Sequence, residues 1–289
     1  MPKQDFKIGA DPEFGFLSND RVVEAIDIIE CENEDRDQFG IDGCAVVAEL
    51  RPSPSTNPLE VVSNIASVMY EGAKRNPETA GCVWKAGSDV KGNPIGGHIH
   101  FGTNEITRRN KPRKQVFLRA LDTYLAQTVI LLEDPEEAVS RRQDSDYGGL
   151  SDCRDQRWGF EYRTPSSWLT SPYVAAGVLC LAKAIVWETL YNGLDSGSDY
   201  EDIDEDAFIE ADLKPIRATF KKDLWPDIRK FELYKKYKQP INFLHTLIEN
   251  KKNWFPTCGM KTAWGVESTP DVGPLEQTTI KDIWSGVTA

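Results

Sequence analysis

The sequence predicts an α+β fold in which one sheet turns a polar face to a cavity and packs its other face under helices. Three observations carry this prediction. Short runs of β-forming residues are interrupted by helical patterns through the first half of the chain. Four of the strand candidates carry two chemical residues at the same two-residue spacing. After residue 194 the strand candidates stop, which predicts a mainly helical C-terminal region.

Taken in order, residues 14–17 and 22–25 flank Ser18-Asn19-Asp20-Arg21 and predict a hairpin. Residues 44–51 form a third strand candidate. Asn57-Pro58-Leu59-Glu60 reads as a helix start, with a polar cap, proline at the first helical position and an acid in the first turn. Val61, Val62, Ile65, Val68 and Met69 follow at helical spacing and carry that helix to about Arg75. Residues 83–86 and 98–102 are further strands, with Gly92, Pro94, Gly96 and Gly97 marking the bend between them. The stripe Phe117, Leu121, Leu125, Val129 and Leu132 predicts a long amphipathic helix over 113–133. Residues 159–163 give another strand, and 172–194 an apolar, buried helix. Residues 205–250 read as helical, and 256–289 as loop-rich with a short amphipathic piece at the end. The expected division is a catalytic core at 1–194 and an acidic, mainly helical extension at 195–289.

Composition narrows the class. The 289 residues are 40% hydrophobic and 28% charged, as in an ordinary globular protein. No stretch is expected to serve as a membrane span of roughly 20 apolar residues. Residues 1–7 are polar with no apolar signal region, so a cytoplasmic location is expected. Six scattered cysteines without a C-x-x-C pair argue against a zinc knuckle or a disulfide scaffold and for reduced thiols. The net charge of −12 is concentrated: residues 195–212 carry nine carboxylates and no Lys or Arg, so the rest is nearly balanced. Neither part has the excess of Lys and Arg that a nucleic-acid surface needs. The tract reads as a solvated segment, or more sharply as a lure for a cationic amine. The basic run 108–114 reads as a loop and solvated helix start, with contact to ATP phosphates as the sharper alternative.

The recurring spacing carries the chemistry. It appears in Asp11-Pro12-Glu13, Glu49-Leu50-Arg51, His98-Ile99-His100 and Glu161-Tyr162-Arg163. Residues two apart on a strand point to one face, so each tripeptide presents two polar groups together. The residue between faces the other way; Leu50, Ile99 and Tyr162 suit packing under helices, and Pro12 suits an edge or a strand start. A single E-x-R is usually a solvated strand face with a weak ion pair. Four such strands in one sheet gather a cavity instead, because charges are rarely buried without partners. Carboxylates with one or two histidines suit hard divalent cations such as magnesium or manganese. The arginines suit phosphate oxygens. Zinc is the rival for the H-x-H pair, disfavoured by the many carboxylates and the absent cysteine pairs. His245, on an apolar helical stretch, reads as structural. No phosphate-binding P-loop or Rossmann glycine fingerprint is present.

Gly9-Ala10-Asp11-Pro12-Glu13-Phe14, Glu49-Leu50-Arg51-Pro52, Gly96-Gly97-His98-Ile99-His100-Phe101-Gly102 and Glu161-Tyr162-Arg163-Thr164-Pro165-Ser166-Ser167 occur in that order. Together they resemble the phage-encoded carboxylate-amine ligases, the COOH-NH2 ligase type 2 family of the glutamine synthetase and glutamate-cysteine ligase superfamily, over about residues 5–193. The resemblance implies a glutamine-synthetase-like, mostly antiparallel sheet with helices on one face and the active site on the other. It implies ATP with magnesium, manganese being the alternative, and an acyl phosphate that an amine resolves, with small-molecule or peptide carboxylate and amine substrates. By the same resemblance Glu13, Glu49 and Glu161 are expected metal ligands, joined by one of His98 and His100, with Asp11 less certain because its side chain is shorter than the glutamate usual there. Arg163 is the expected contact to transferred phosphate, with Arg157 and Arg51 as further catalytic candidates. Arg141, Arg142 and Tyr147-Gly148 fall in a segment like a substrate or phosphate loop, which makes Arg142 a nucleotide-binding candidate beside Arg163 and Arg157. An oligomer is compatible with this fold. The competing functions are a phosphagen-kinase-like phosphotransferase, a metal-dependent hydrolase and a non-catalytic virion or scaffold protein.

Overall fold

The computed structural model describes residues 3–31, 37–103, 111–145, 147–194 and 203–266. Residues 108–110 of the basic run, 195–202 of the acidic tract and the amphipathic piece expected at the end lie outside the described residues.

An eight-stranded sheet organises the chain, built around one long strand, β1 (Lys7–Ser18). The others are β2 (Arg21–Val23), β3 (Phe39–Ile41), β4 (Ala48–Leu50), β5 (Val83–Lys85), β6 (Gly97–Gly102), β7 (Cys153–Gln156) and β8 (Gly159–Tyr162). They run in the order β3-β4-β1-β6-β8-β7, with β2 and β5 pairing the second half of β1, and every pair is antiparallel. Period-two alternation decides which face is which. Ile8, Ala10, Phe14 and Phe16 of β1 enter the core with Ala48, Leu50, Ile99, Phe101, Phe160 and Tyr162. Phe14 and Phe16 meet Trp84 of β5 at ring-centroid distances of 5.2 and 5.6 Å.

Pro12 departs from its expected place at an edge or strand start, since it sits mid-strand in β1 opposite Gly97. Gly97 sends its N–H to the Pro165 carbonyl rather than to β1, so the missing N–H of Pro12 breaks no bond with β6. The third strand is shorter than expected, 48–50 instead of 44–51. β3 and β7 were not legible, because three or four residues of mixed polarity give no periodic run.

Helices cover the apolar face. Helix α1 (Pro58–Arg75) begins as expected, with the Asn57 side chain accepting from the Leu59 N–H and Pro58 in the first turn. The expected helix over 113–133 is α2 (Lys111–Leu121), which continues through a π-helical turn at Asp122–Ala126 into Gln127–Ile130. Helix α3 (Pro172–Tyr191) is capped by Ser171 and runs through the middle of the core. By length and composition it is apolar enough to cross a membrane, contrary to the sequence-based expectation. In this fold 78% of its most apolar stretch is buried against protein.

From residue 203 on, the described residues contain helical segments and no strand. Helix α4 (Lys238–Glu249) lies against α3 where Gly177 lets the backbones approach; a Cβ there would stand 2.5 Å from Leu244 Cγ. Phe208, Ile216, Phe220, Ile248 and Trp264 belong to the same core cluster as the sheet.

Candidate active site

Strand register assembles the polar face. Glu13 pairs with Glu49 across β1 and β4, Asp11 with His98 across β1 and β6, and His100 with Glu161 across β6 and β8. Residues directly opposite in an antiparallel pair are neighbours on one face. The six candidate metal ligands therefore form one cluster spanning four strands. Glu13, Glu49 and Glu161 are 2%, 4% and 1% exposed, so water does little to offset their charge.

The distances are those of a ligand set. His98 Nδ1 lies 3.4 Å from Asp11 Oδ1 and 3.6 Å from Glu161 Oε1, and His100 Nε2 lies 2.9 Å from Asp11 Oδ1. Asp11 Oδ1, His100 Nε2 and Glu161 Oε1 are nevertheless buried without a properly aligned hydrogen bond. Three groups bring their ligand atoms within 4.8 Å of one another: Asp11 with Glu49 and His98, Asp11 with His100 and Glu161, and Glu13 with Asp42 and Glu49. Oxygen-rich groups with at most one imidazole match hard divalent cations. The orphaned buried acceptors are what such cations would satisfy.

The electrostatics point the same way. Burial, with the charge of Asp42 added and His98 opposing, pushes the Glu13 carboxyl up to about 7. Burial and the charge of Asp11 push Glu49 up to about 10, partly opposed by Arg51. Burial would also raise Asp11, but His100 and His98 outweigh it and hold that carboxyl well below the usual range. Burial would lower His98, but Glu13, Asp11 and Glu161 together raise it. Protein groups alone leave this cluster short of positive charge, and divalent cations would supply it.

The arginines divide. Arg163 stands at the margin of the cluster, its Nε 3.5 Å from Glu161 Oε1 and its Nη1 3.5 Å from Asp152 Oδ1. Arg51 ion-pairs with Glu49 and donates at 3.0 Å to the carbonyls of Asp37 and Ile41, tying β3 to β4. Arg157 is exposed at the tip of the β7–β8 hairpin and makes no ion pair among the described residues. Arg142 is not brought to the site. It is buried in a two-pronged pair with Glu133, at 2.9 and 3.0 Å, and its guanidinium covers the Phe208 ring. Arg141 is fully buried and donates to the carbonyls of Arg163, Thr164 and Pro165. The physical reason is local. The segment read as a loop is a helix, Pro135–Val139, running on as a π-helical turn, Ser140–Asp144, and it turns both arginines inward.

Four partners escaped the sequence reading. Asp42 follows β3 and reaches Glu13 and Glu49. Arg154 and Gln156 lie on the polar face of β7; Arg154 is opposite Glu161 with Nη1 3.6 Å from Oε1, and Gln156 donates to Glu161 at 2.9 Å. Trp158, 42% exposed, sets its ring 5.0 Å from that of His100. The signal that could have found β7 is the Arg157-Trp158-Gly159 turn. Gly159 is left-handed at φ 157°, and a Cβ there would meet the Phe101 carbonyl oxygen at 1.9 Å.

A family model described as phage phiEco32-like COOH.NH2 ligase-type 2 matches residues 8–266, running past residue 193 where the motif resemblance ended. Among solved structures the fold is similar to GmaS without ligand, with TM-score 0.54, 14% identity, 96% of this chain and 72% of that one covered. It is similar to the GmaS/ADP complex, with TM-score 0.52, 13% identity and coverage of 96% and 73%. It is also similar to PafA solved with the ubiquitin-like protein Pup, with TM-score 0.57, 12% identity and coverage of 86% and 64%. At these identities the likeness is one of fold. No curated protein matches the chain.

Proposed function

Because the chain belongs to the phage phiEco32-like COOH.NH2 ligase-type 2 family, we propose that it joins a carboxylate to an amine through an acyl phosphate, using ATP and magnesium. The observation that supports this is the cluster of Asp11, Glu13, Glu49, His98, His100 and Glu161 on one sheet face, with buried acceptor atoms lacking partners. Membership makes the protein an ATP-dependent, amide-forming ligase; the acyl phosphate, the residue roles and magnesium itself are the proposal.

In this reading a carboxylate oxygen of the substrate attacks the γ-phosphorus of ATP. The bond to the bridging oxygen breaks, and ADP leaves with that electron pair. The amine nitrogen then attacks the acyl carbon, the C–O bond breaks, phosphate leaves, and the nitrogen loses its proton to solvent. Bound cations would neutralise the triphosphate and the developing charge. Glu13, Glu49, Glu161, Asp11 and His98 would hold them. Arg163 would meet the transferred phosphoryl group, where a fixed guanidinium lowers the barrier because its charge is already in place. Arg51 would keep Glu49 aimed at the cluster. Arg157 and its neighbour Arg154 would reach the nucleotide or substrate from the hairpin.

The test is ADP and phosphate formation from ATP with magnesium, over pooled small-molecule and peptide carboxylates and amines, with mass spectrometry of the products. The expected product weighs the acid plus the amine minus water and forms only with ATP. A phosphorylated guanidine would establish the phosphotransferase instead, and a product made without ATP the hydrolase.

A further inference from the structure

We infer that Tyr147 is a positioning residue that fixes the proton of His98 on Nε2 and thereby turns a bare Nδ1 towards Asp11 and Glu161 as a cation ligand. The inference rests on the metal-dependent reading of the site.

The Tyr147 hydroxyl lies 2.5 Å from His98 Nε2, and 3.2 and 3.4 Å from the two carboxylate oxygens of Glu13. With a cation in the cluster Glu13 is ionised and can only accept, and a phenol has one proton to give, so that proton goes to Glu13. The phenol oxygen then accepts from His98, which requires the proton on Nε2. The same cation disfavours a second proton on His98, and a neutral imidazole carries one proton, so Nδ1 is left as a lone pair. On that side stand Asp11 Oδ1 at 3.4 Å and Glu161 Oε1 at 3.6 Å, both without a hydrogen-bond partner. A lone pair facing two carboxylate oxygens is repulsive unless a cation lies between them. One phenol thus links Glu13, which groups with Asp42 and Glu49, to His98, which groups with Asp11 and Glu49. The same logic selects His98, whose two nitrogens are both committed, as the ligand of the H-x-H pair.

Tyr147 is built to hold this place. Its ring is flanked by the guanidiniums of Arg141 at 4.6 Å and Arg163 at 5.2 Å, and meets the His98 ring edge-on at 6.0 Å. Its N–H donates to the Arg141 carbonyl. Gly148 follows in the left-handed region at φ 74°, where a Cβ would collide with the Arg141 guanidinium at 1.8 Å. The buried Arg141 therefore supports the site through Tyr147 without touching it.

The chain has only three histidines, which makes the proton directly observable. Long-range 1H–15N spectra of the imidazoles with magnesium present, with His98→Asn to identify the signal, are expected to show His98 protonated on Nε2 alone. Tyr147→Phe, titrated with Mn2+ and followed by the electron paramagnetic resonance of the free ion, is expected to bind one class of ion about 10- to 100-fold more weakly. Its melting temperature without metal should be unchanged. A proton on Nδ1 of His98, or wild-type Mn2+ affinity in a folded Tyr147→Phe, overturns the inference while leaving the site reading intact. A wild-type protein that binds no Mn2+ removes the site reading and this inference together. Should Tyr147→Phe not fold, the spectrum of the wild-type protein decides alone.

Discussion

Arg141 and Arg142 are adjacent and both buried, and neither touches the polar cluster, whereas Arg163 at its margin is half-buried. Burial decides what each can do. Arg142 has committed its charge to Glu133, so Arg142→Ala leaves a buried carboxylate alone and should cost about 3–5 kcal/mol in urea unfolding. Arg157→Ala at the hairpin tip should change stability by less than about 0.5 kcal/mol. The Glu133 pair also sets a pH dependence. Burial would raise the Glu133 carboxyl, but Arg142 outweighs it and holds the group below its ordinary value of 4.5. A folded value below the unfolded one gives stability that is fully present above about pH 4.5 and lost as pH falls through the folded value. Wild-type stability should therefore fall more steeply below that pH than that of a Glu133→Leu/Arg142→Leu double variant. For catalysis, Glu161→Gln keeps shape and removes charge. It should abolish ADP formation without lowering the melting temperature in metal-free buffer, and retained turnover would take Glu161 out of the ligand set. Arg163→Ala should cost about 10²–10³ in kcat if it meets the transferred phosphoryl group, by analogy with other preorganised charge-stabilising donors.

At the scale of elements, β1 does most of the arranging. It pairs β6 through its first half and β4, β5 and β2 through its second, so Asp11 and Glu13, two residues apart, face different neighbours and meet different ligands. The π-helical turns have a matching role. Asp122, in the first, accepts from the Ser151 N–H, the Ser151 hydroxyl and the Tyr162 hydroxyl, pinning the segment after Tyr147 to β8. The second carries Arg141 under the chain that leaves β8. The α3–α4 contact is separate from this machinery. Gly177→Val should push Leu244 and the Pro240 carbonyl away and cost about 1–3 kcal/mol, read by urea unfolding. Mn2+ affinity should be unchanged, because α4 lies on the face opposite the cluster; a large loss of affinity would mean the two faces are coupled.

Over the whole molecule, sheet, helices and the described C-terminal segments share one core. The buried Lys183 of α3 ion-pairs with Asp5 and donates to the Phe6 carbonyl, fastening the start of the described chain beneath the sheet. Much of this was legible. Period two placed Asp11 with Glu13, His98 with His100, and Glu49 and Glu161 each with its arginine on one face of its own strand; period 3.6 placed α1 and α2, the first with its cap, and an apolar run placed α3. These are local properties, since spacing along a strand or helix fixes direction wherever the element is put. Long-range pairing was not legible. The sequence could not say that β1 changes partners at Pro12, that Arg142 turns away to Glu133, or that Asp42 and Tyr147, 105 residues apart, both reach Glu13. It determined by itself which residues share a face of one strand or helix and what chemistry they suit. Register, burial and the choice among the arginines were decided by tertiary structure alone, because they depend on which distant segments meet.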